Sequence, residues 1–301
     1  MKKALLQIHT AVLLWGFTGV LGRAISLSAP VLVWYRMLLT AVFMAVILTY
    51  RGQWVKIARK DMIQLTLVGC LMGLHWVAFY GAIKFANASI ALICLSTASI
   101  FTSLLDPWVN KGRYDIKELL LGLLALLGVY MIYRYQQVFS LGILFGVIAA
   151  VLSSVFTVLN KRVAHKYPAR TMVFYEMSTG WILISLLIPF QLYYATDTAV
   201  LPTATDWIWL VILSLCCTVW AQSLALNALK HISSFTATLS VNLEPVYGII
   251  LAFIFFEENK ELNSGFFIGM SLICLSVVLQ TVRVLRPASP GYIKEKGGIG
   301  D

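Results

Sequence analysis

Apolar residues fill the chain in ten long runs, near positions 4–25, 31–50, 61–84, 87–110, 115–133, 141–160, 170–190, 206–229, 233–256 and 262–282. A helix needs about 20 mostly apolar residues to cross the hydrocarbon core of a bilayer. The runs have that length, and the connections are short apart from 51–60 and 191–205. The pattern predicts an all-α integral membrane protein with ten transmembrane helices. Little is left for a soluble domain, so function is to be sought between helices.

The polar segments alternate in charge. With Lys2 and Lys3 inside, the inner side also takes Arg51, Lys56, Arg59, Lys60, Lys111, Arg113, Lys117, Lys161, Arg162, Lys166, Arg170, Lys230, Arg283, Arg286, Lys294 and Lys296. The outer side keeps Arg23, Lys84, Arg134 and Lys260, with the acids Glu257, Glu258 and Glu261. Cationic loops resist translocation, so this split predicts that both termini are cytoplasmic. The net charge of +10 then reports topology. Nucleic acid is not expected as a partner, because no basic run is interleaved with base-stacking aromatics. Lys2 and Lys3 before an apolar run resemble the start of a signal peptide. The run is too long and lacks a small-residue cleavage site, so it reads as a retained first helix. Trp54, within the basic stretch 51–60, suggests a segment lying on the inner membrane surface, and Trp207, Trp209, Tyr193 and Tyr194 fit an outer aromatic belt.

A weak repeat runs through the chain. The stretch from Lys84 (Lys84-Phe85-Ala86-Asn87-Ala88-Ser89) can be laid on the one from Lys230 (Lys230-His231-Ile232-Ser233-Ser234-Phe235), and Ala11 to Arg23 on Ala149 to Lys161. Each half would hold an odd number of crossings, so the second must enter the membrane from the opposite side. Oppositely oriented halves are typical of transporters whose substrate site lies near the midplane. Glycines recur at helix-packing spacing: Gly69 with Gly73, Gly142 with Gly146, Gly265 with Gly269. The last two pairs could dimerise the protein or pack within one chain, leaving monomer and homodimer open. Gly16, Gly19 and Gly22, beside Trp15, form either a packing groove or the wall of a passage.

Composition agrees: 60% of residues are hydrophobic and 12% charged, against roughly 25% charged in soluble domains. The cysteines, Cys70, Cys94, Cys216, Cys217 and Cys274, all sit in apolar runs without C-x-x-C spacing. They read as small buried hydrophobes, so no disulfide framework, metal site or cofactor is expected. The chain shows no phosphate-cradling loop, H-E-x-x-H or G-x-S-x-G, so no enzyme is expected, and transport energy would come from gradients.

Leu14-Trp15-Gly16, Tyr35-Arg36, Leu243-Glu244-Pro245-Val246 and Phe256-Glu257-Glu258 together resemble the EamA-type permeases of the drug/metabolite transporter superfamily. The likeness in hydropathy covers residues 4–285. It implies two inverted five-helix repeats (1–137 and 138–285, then a cytoplasmic tail 286–301) around a central cavity partly lined by helix 3, with helices 5 and 10 peripheral. It also implies alternating access and transport of small metabolites such as amino acids, with export by family habit. The chain departs from the pattern at helix 4, where Ser99 stands in place of the proline matching Pro245. Pro107 lies further toward the cytoplasm, so the first-half hinge is expected at a different level.

An ionisable residue at bilayer depth costs about 2.5–3.5 kcal/mol on insertion scales and needs a partner or a water-filled cavity. His75 and Phe79 share one face of helix 3, as do Trp76 and Tyr80; such a polar group among aromatics suits an amphipathic ligand. Glu244, before Pro245 and near Asn242, is a candidate for binding a substrate ammonium or carrying a coupling proton, against a structural hydrogen bond at a kinked helix. With Trp15, the substrate-binding candidates are Trp15, His75, Trp76, Tyr80, Asn242 and Glu244. Arg36, Asp106 and Glu176 are gate or coupling candidates. Trp220 and Gln222 are further cavity candidates, while Asn87 and Asn160 read as helix caps. The sequence thus predicts a secondary transporter or facilitator for a small amphipathic metabolite, amino acids first, in a bacterial cytoplasmic membrane. Alternatives are a choline-like quaternary ammonium uptake permease, or a membrane-embedded lipid flippase or enzyme.

Overall fold

The computed structural model describes residues 2–111, 114–135, 139–194, 199–232, 234–241, 243–260 and 262–285. The helices are α1 (Lys2–Ala24), α2 (Ala29–Tyr50), α3 (Arg59–Phe85), α4 (Ala88–Leu95), α5 (Ala98–Asn110), α6 (Ile116–Tyr135) and α7 (Ser140–Ala164) in the first part. They continue as α8 (Ala169–Tyr194), α9 (Ala204–Ser214), α10 (Ala221–Leu229), α11 (Ser234–Val241), α12 (Glu244–Phe256) and α13 (Ser264–Leu285), with a π turn, Leu215–Trp220, joining α9 to α10. No strand occurs among the described residues. Eight segments are long and apolar enough to cross a membrane, counting Ala88–Asn110 and Ala204–Leu229 as one each. The other two crossings are α11 with α12, and α13. The protein is an all-α, multi-pass membrane protein with ten crossings in two inverted halves around a central cavity.

The inversion is visible in which ends meet. One end gathers Lys166 on Asp61 (2.8 Å), Arg162 on the Val109 carbonyl, and Lys161 on the Leu229 and Ile232 carbonyls; call it the cationic end. The opposite end gathers Arg23 on Glu258, Ser26 on Asp206, and Lys84 on the Ile25 carbonyl. Lys84 and Lys230, paired by the repeat, therefore lie at opposite ends. Arg23 and Lys161, paired by the other alignment, lie one at each of them. Across the pseudo-twofold, α2 packs on α8 and α6 on α13.

The breaks in the fourth and ninth crossings keep the same register. The alignment that lays Lys84 on Lys230 lays Ser96 and Thr97, where α4 gives way to α5, on 242 and 243, where α11 gives way to α12. It also lays Lys111 on Glu257, and both adopt a left-handed conformation, φ 55° and 53°. The expectation that the first-half hinge lies at a different level is therefore corrected. Pro107 lies inside α5, and the break falls at Ser96–Thr97 without any proline. Its cause is side-chain competition: Ser96 Oγ donates to the Ile93 carbonyl (2.6 Å) and Thr97 Oγ1 to the Cys94 carbonyl (2.7 Å). Such back-bonding bends helices.

The glycines turn out to be packing surfaces within one chain. A Cβ on Gly16 would lie 2.8 Å from Tyr247 Cβ, and one on Gly22 would lie 2.4 Å from the Tyr80 ring. That stripe is a groove for neighbouring helices. Gly128 and Gly269 make the closest reciprocal approach, because a Cβ on either would lie within 2.6 Å of the other's carbonyl oxygen. Overpacking of this kind costs about 1–3 kcal/mol, and backbone cannot yield as a side chain can. Gly128→Val should therefore lower the thermal midpoint of the purified protein in detergent by several degrees, measured by fluorescence-detected size exclusion. An unchanged midpoint would show that α6 and α13 do not pack this closely.

Candidate functional site

A cavity of about 100 Å3 occupies the middle of the protein and runs toward the cationic end. That is small beside the roughly 300–1,000 Å3 of drug-sized sites. Trp15 and Thr18 of α1, Arg36 of α2, His75, Trp76 and Phe79 of α3, Phe156 and Asn160 of α7, Gln222 of α10 and Glu244 of α12 line it. Ile8 and Leu229 mark its approach to the cationic end.

Arg36 dominates the roof. It is 2% exposed, and its guanidinium carbon lies 3.7 Å from the Trp76 ring centroid. Nε donates to Thr218 Oγ1 (2.9 Å), Nη1 to Tyr80 Oη (2.8 Å) and Nη2 to the Cys217 carbonyl (3.4 Å). No carboxylate pairs with it among the described residues. A buried charge without a counterion is costly; the aromatic face returns about 2 kcal/mol or more when the cation is desolvated. The guanidinium has more N–H donors than these partners use, in a fork that matches a carboxylate.

The π turn makes this arrangement. By widening one turn it lets Thr218 Oγ1 reach back to the Leu213 carbonyl (3.0 Å) while accepting from Arg36. The Cys217 carbonyl then accepts from both Trp15 Nε1 (3.0 Å) and Arg36. Such turns occur often at functional sites. Nothing in the apolar string Leu215-Cys216-Cys217-Thr218 announces it, and sequence reasoning missed these two residues.

His75 holds its ring by Nδ1, 2.8 Å from the Ala149 carbonyl, between Phe79 and Phe156. A carbonyl only accepts, so Nδ1 carries the hydrogen and Nε2 of the neutral ring is an acceptor. Glu244 opens α12 beside Pro245 and is buried. Thr18 Oγ1 donates to the Trp15 carbonyl at 2.6 Å and only approaches Glu244 Oε1, at 3.4 Å. The Glu244 carboxyl thus keeps most of its hydrogen-bonding capacity for a ligand.

Of the predicted contacts, Trp15, His75, Trp76 and Glu244 come together in one cavity, and Arg36 and Gln222 join them. Tyr80, 0% exposed, stands behind the wall as a support for Arg36. Asn242 lies outside the described residues. Trp220 is 55% exposed on the outer surface of the bundle. Asp106 sits near the cationic end, accepting from Asn110 Nδ2, and Glu176 is buried outside the cavity lining. Asn87 does cap α4, accepting from the Ile90 N–H at 2.9 Å. Asn160 does not cap: α7 continues to Ala164, which leaves the side chain inside the helix and on the cavity wall.

The opposite end is shut. Glu258 accepts from the Ala88 and Ser89 N–H groups at the start of α4 (3.1 and 2.9 Å), from Ser89 Oγ (2.6 Å) and from Arg23. Asp206 takes the Ser26 N–H and hydroxyl (2.8 and 2.7 Å). Tyr35 stacks edge-on against Trp207, and Trp34 against Trp181.

Ten crossings in inverted halves, a midplane cavity closed at one end, and sparse polar groups among aromatics are the features of a multi-pass membrane transporter. The chain belongs to the EamA-like transporter family, whose sequence profile matches residues 2–134 and again 140–282. It is similar to a protein of Archaeoglobus fulgidus described as an uncharacterized transporter, 28% identical over 67% of this chain and 70% of that one. It also resembles the uncharacterized transporter YxxF of Bacillus subtilis, 22% identical over 93% of this chain and 90% of that one. A solved crystal structure of a protein 18% identical superposes with a TM-score of 0.69, covering 95% of this chain and 99% of that chain, and shows the same fold.

The Glu258 cluster should act as the latch of the closed end. In a background lacking the native cysteines, Glu258→Ala is expected to raise labelling of Thr18→Cys by a bulky impermeant maleimide, added from the Glu258 side, several-fold. Labelling that stays at background would remove the latch role.

Proposed function

We propose that the protein carries a small amphipathic metabolite bearing both a carboxylate and an ammonium, an amino acid foremost, by alternating access across a bacterial cytoplasmic membrane. The observation that carries this reading is the unpaired guanidinium of Arg36 in the same cavity as the under-used carboxyl of Glu244. A zwitterion placed between them brings each charge its missing partner, and Trp15, Trp76 and Phe79 provide apolar wall for a side chain. His75 Nε2 adds an acceptor. The cationic end is then the cytoplasmic end by the positive-inside rule, with both termini there. The cavity faces the cytoplasm, as a loading state for export or a releasing state for facilitated exchange. Residues 1–137 and 138–285 form the two repeats, a division supported by the double match to the family profile. The transporter works as a monomer: the glycine pairs that could have dimerised it are filled from within the chain. No enzymatic step is part of this reading.

A choline-like cation is less well served. The face of Trp76 that would bind it is already covered by Arg36, and a guanidinium repels a second cation. A lipid head group would need a lateral opening, whereas this cavity's polar groups sit centrally.

Counterflow in proteoliposomes tests the reading without assuming a driving ion. Labelled L-phenylalanine and L-leucine should exchange against a matching internal pool, while choline should not. Charge-assisted hydrogen bonds contribute about 1.5–3 kcal/mol, so Arg36→Gln should weaken the amino acid's apparent affinity roughly ten- to a hundredfold. The same substitution should leave phenethylamine, which lacks the carboxylate, much less affected. Equal loss for both compounds would mean that Arg36 only holds the fold, and choline exchange without amino acid exchange would overturn the proposal.

A further inference from the structure

Glu176 of α8 takes no part in the cavity. It is 0% exposed, and neither carboxyl oxygen has a hydrogen-bond donor. From Ala169 to Glu176 is about 10 Å along the helix, which puts the group at hydrocarbon depth. Its helix is pressed against α3, since a Cβ on Gly69 would lie 2.3 Å from the Glu176 carbonyl oxygen.

Among the described residues, no counterion reaches it. On α2, Arg36 is engaged with Thr218, Tyr80 and Trp76. On α3, Asp61 pairs with Lys166, His75 is tied to Ala149, and Cys70 offers no cation. On α7, Lys161 and Arg162 bond backbone carbonyls of other segments, and α10 holds no titratable residue. The polar side chain that acts on Glu176 is Asn160. Its own Oδ1 is also unpartnered, and Asn160 lines the cavity. With no counterion, and at most the Asn160 amide to donate to it, an ionised carboxylate is costly at this depth, so the site favours the neutral acid.

The repeat sharpens the point. Tyr35-Arg36-Met37 and Tyr175-Glu176-Met177 occupy equivalent places, each about 10 Å into its helix by the same rise. One half carries a permanent cation facing the cavity; the other carries a group that can gain and lose charge.

We propose that Glu176 is a proton-binding site separate from the substrate cavity, reached from the cationic end past Asn160, and that proton binding there is coupled to the exchange of the two access states. The carboxylate takes one proton from water on one side, becomes the neutral acid described here, and returns that proton to water on the other side once α8 and α3 have rearranged. The coupling rests on the transport function proposed above, whereas the protonation itself does not.

Two measurements on the full-length protein test it. The infrared spectrum of wild-type protein in bilayers at neutral pH should show a protonated-carboxyl C=O band that disappears in Glu176→Gln and shifts in Glu176→Asp. In liposomes loaded with pyranine, an equimolar mixture of neutral L-amino acids should move protons through the wild type but not through Glu176→Gln, while counterflow of the same mixture persists in the variant. Absence of the band, a band unchanged by both substitutions, or proton movement that persists undiminished in the variant would overturn the site. Counterflow without proton movement in the wild type, or accumulation driven by a sodium gradient in its place, would overturn the coupling and leave the transport reading standing. Loss of counterflow in the wild type itself would instead sink the transport reading.

Discussion

Hydrocarbon offers the peptide backbone nothing to bond with, so a membrane helix must satisfy its own N–H and C=O groups or border a cavity where it does not. Among the described residues, three places break or widen a crossing: Ser96–Thr97, the π turn Leu215–Trp220, and the junction of α11 with α12, while Pro107 and Pro189 each remove one ladder bond inside a continuous helix. All three border the central cavity. Leu95 lines it just before the first, Cys217 and Thr218 anchor its roof at the second, and Glu244 opens the helix after the third. The constraint on the backbone thus decides where a polar site can exist at all.

Each departure then fixes side chains. The π turn supplies one carbonyl to two donors, Trp15 Nε1 and Arg36 Nη2, so helices α1 and α2 are registered against the same point. Tyr80 completes the cradle from α3, where the Gly22 surface of α1 leaves room for its ring. The result is a guanidinium held rigidly by neutral oxygens and an indole face, with charge left uncompensated. Preorganised charge of this kind binds a carboxylate without first having to give up a protein counterion.

Much of this was legible in the chain. The ten runs, the charge alternation and the paired stretches at Lys84 and Lys230 follow from periodicity and hydropathy, which bilayer physics reads directly. The cavity membership of Trp15, His75, Trp76 and Glu244 was legible because polar groups at that depth need a reason. Other features depend on tertiary contacts that sequence spacing does not encode. The absence of a proline matching Pro245 suggested a shifted first-half hinge, yet proline is only one way to interrupt a helix, and Ser96 and Thr97 use another. Tyr80 shares a helical face with Trp76, yet Trp76 lines the cavity while the Tyr80 ring packs behind it against Gly22 of α1. Asn160 looked like a cap because the apolar run ends there, although Lys161 and Arg162 continue the helix and bond backbone carbonyls of other segments.

The two ends are held by different sets of contacts. At the sealed end, the carboxylates of Glu258 and Asp206 collect cationic, hydroxyl and backbone donors together. At the cationic end, Lys166 pairs with Asp61, while Lys161 and Arg162 reach for backbone carbonyls. Each end thus holds an ion pair, and the sealed end adds two buried carboxylates that must each give up several hydrogen bonds, strengthened by their charge, before it opens. A substrate in the cavity can drive that opening only by binding more tightly in the opposite state. Arg36 and Glu244 belong to α2 and α12, elements of different halves, so a zwitterion bridging them responds to any change in their separation. In the proposed reading, the bridging contact that selects the ligand would also offer the differential affinity that opening of the far end requires.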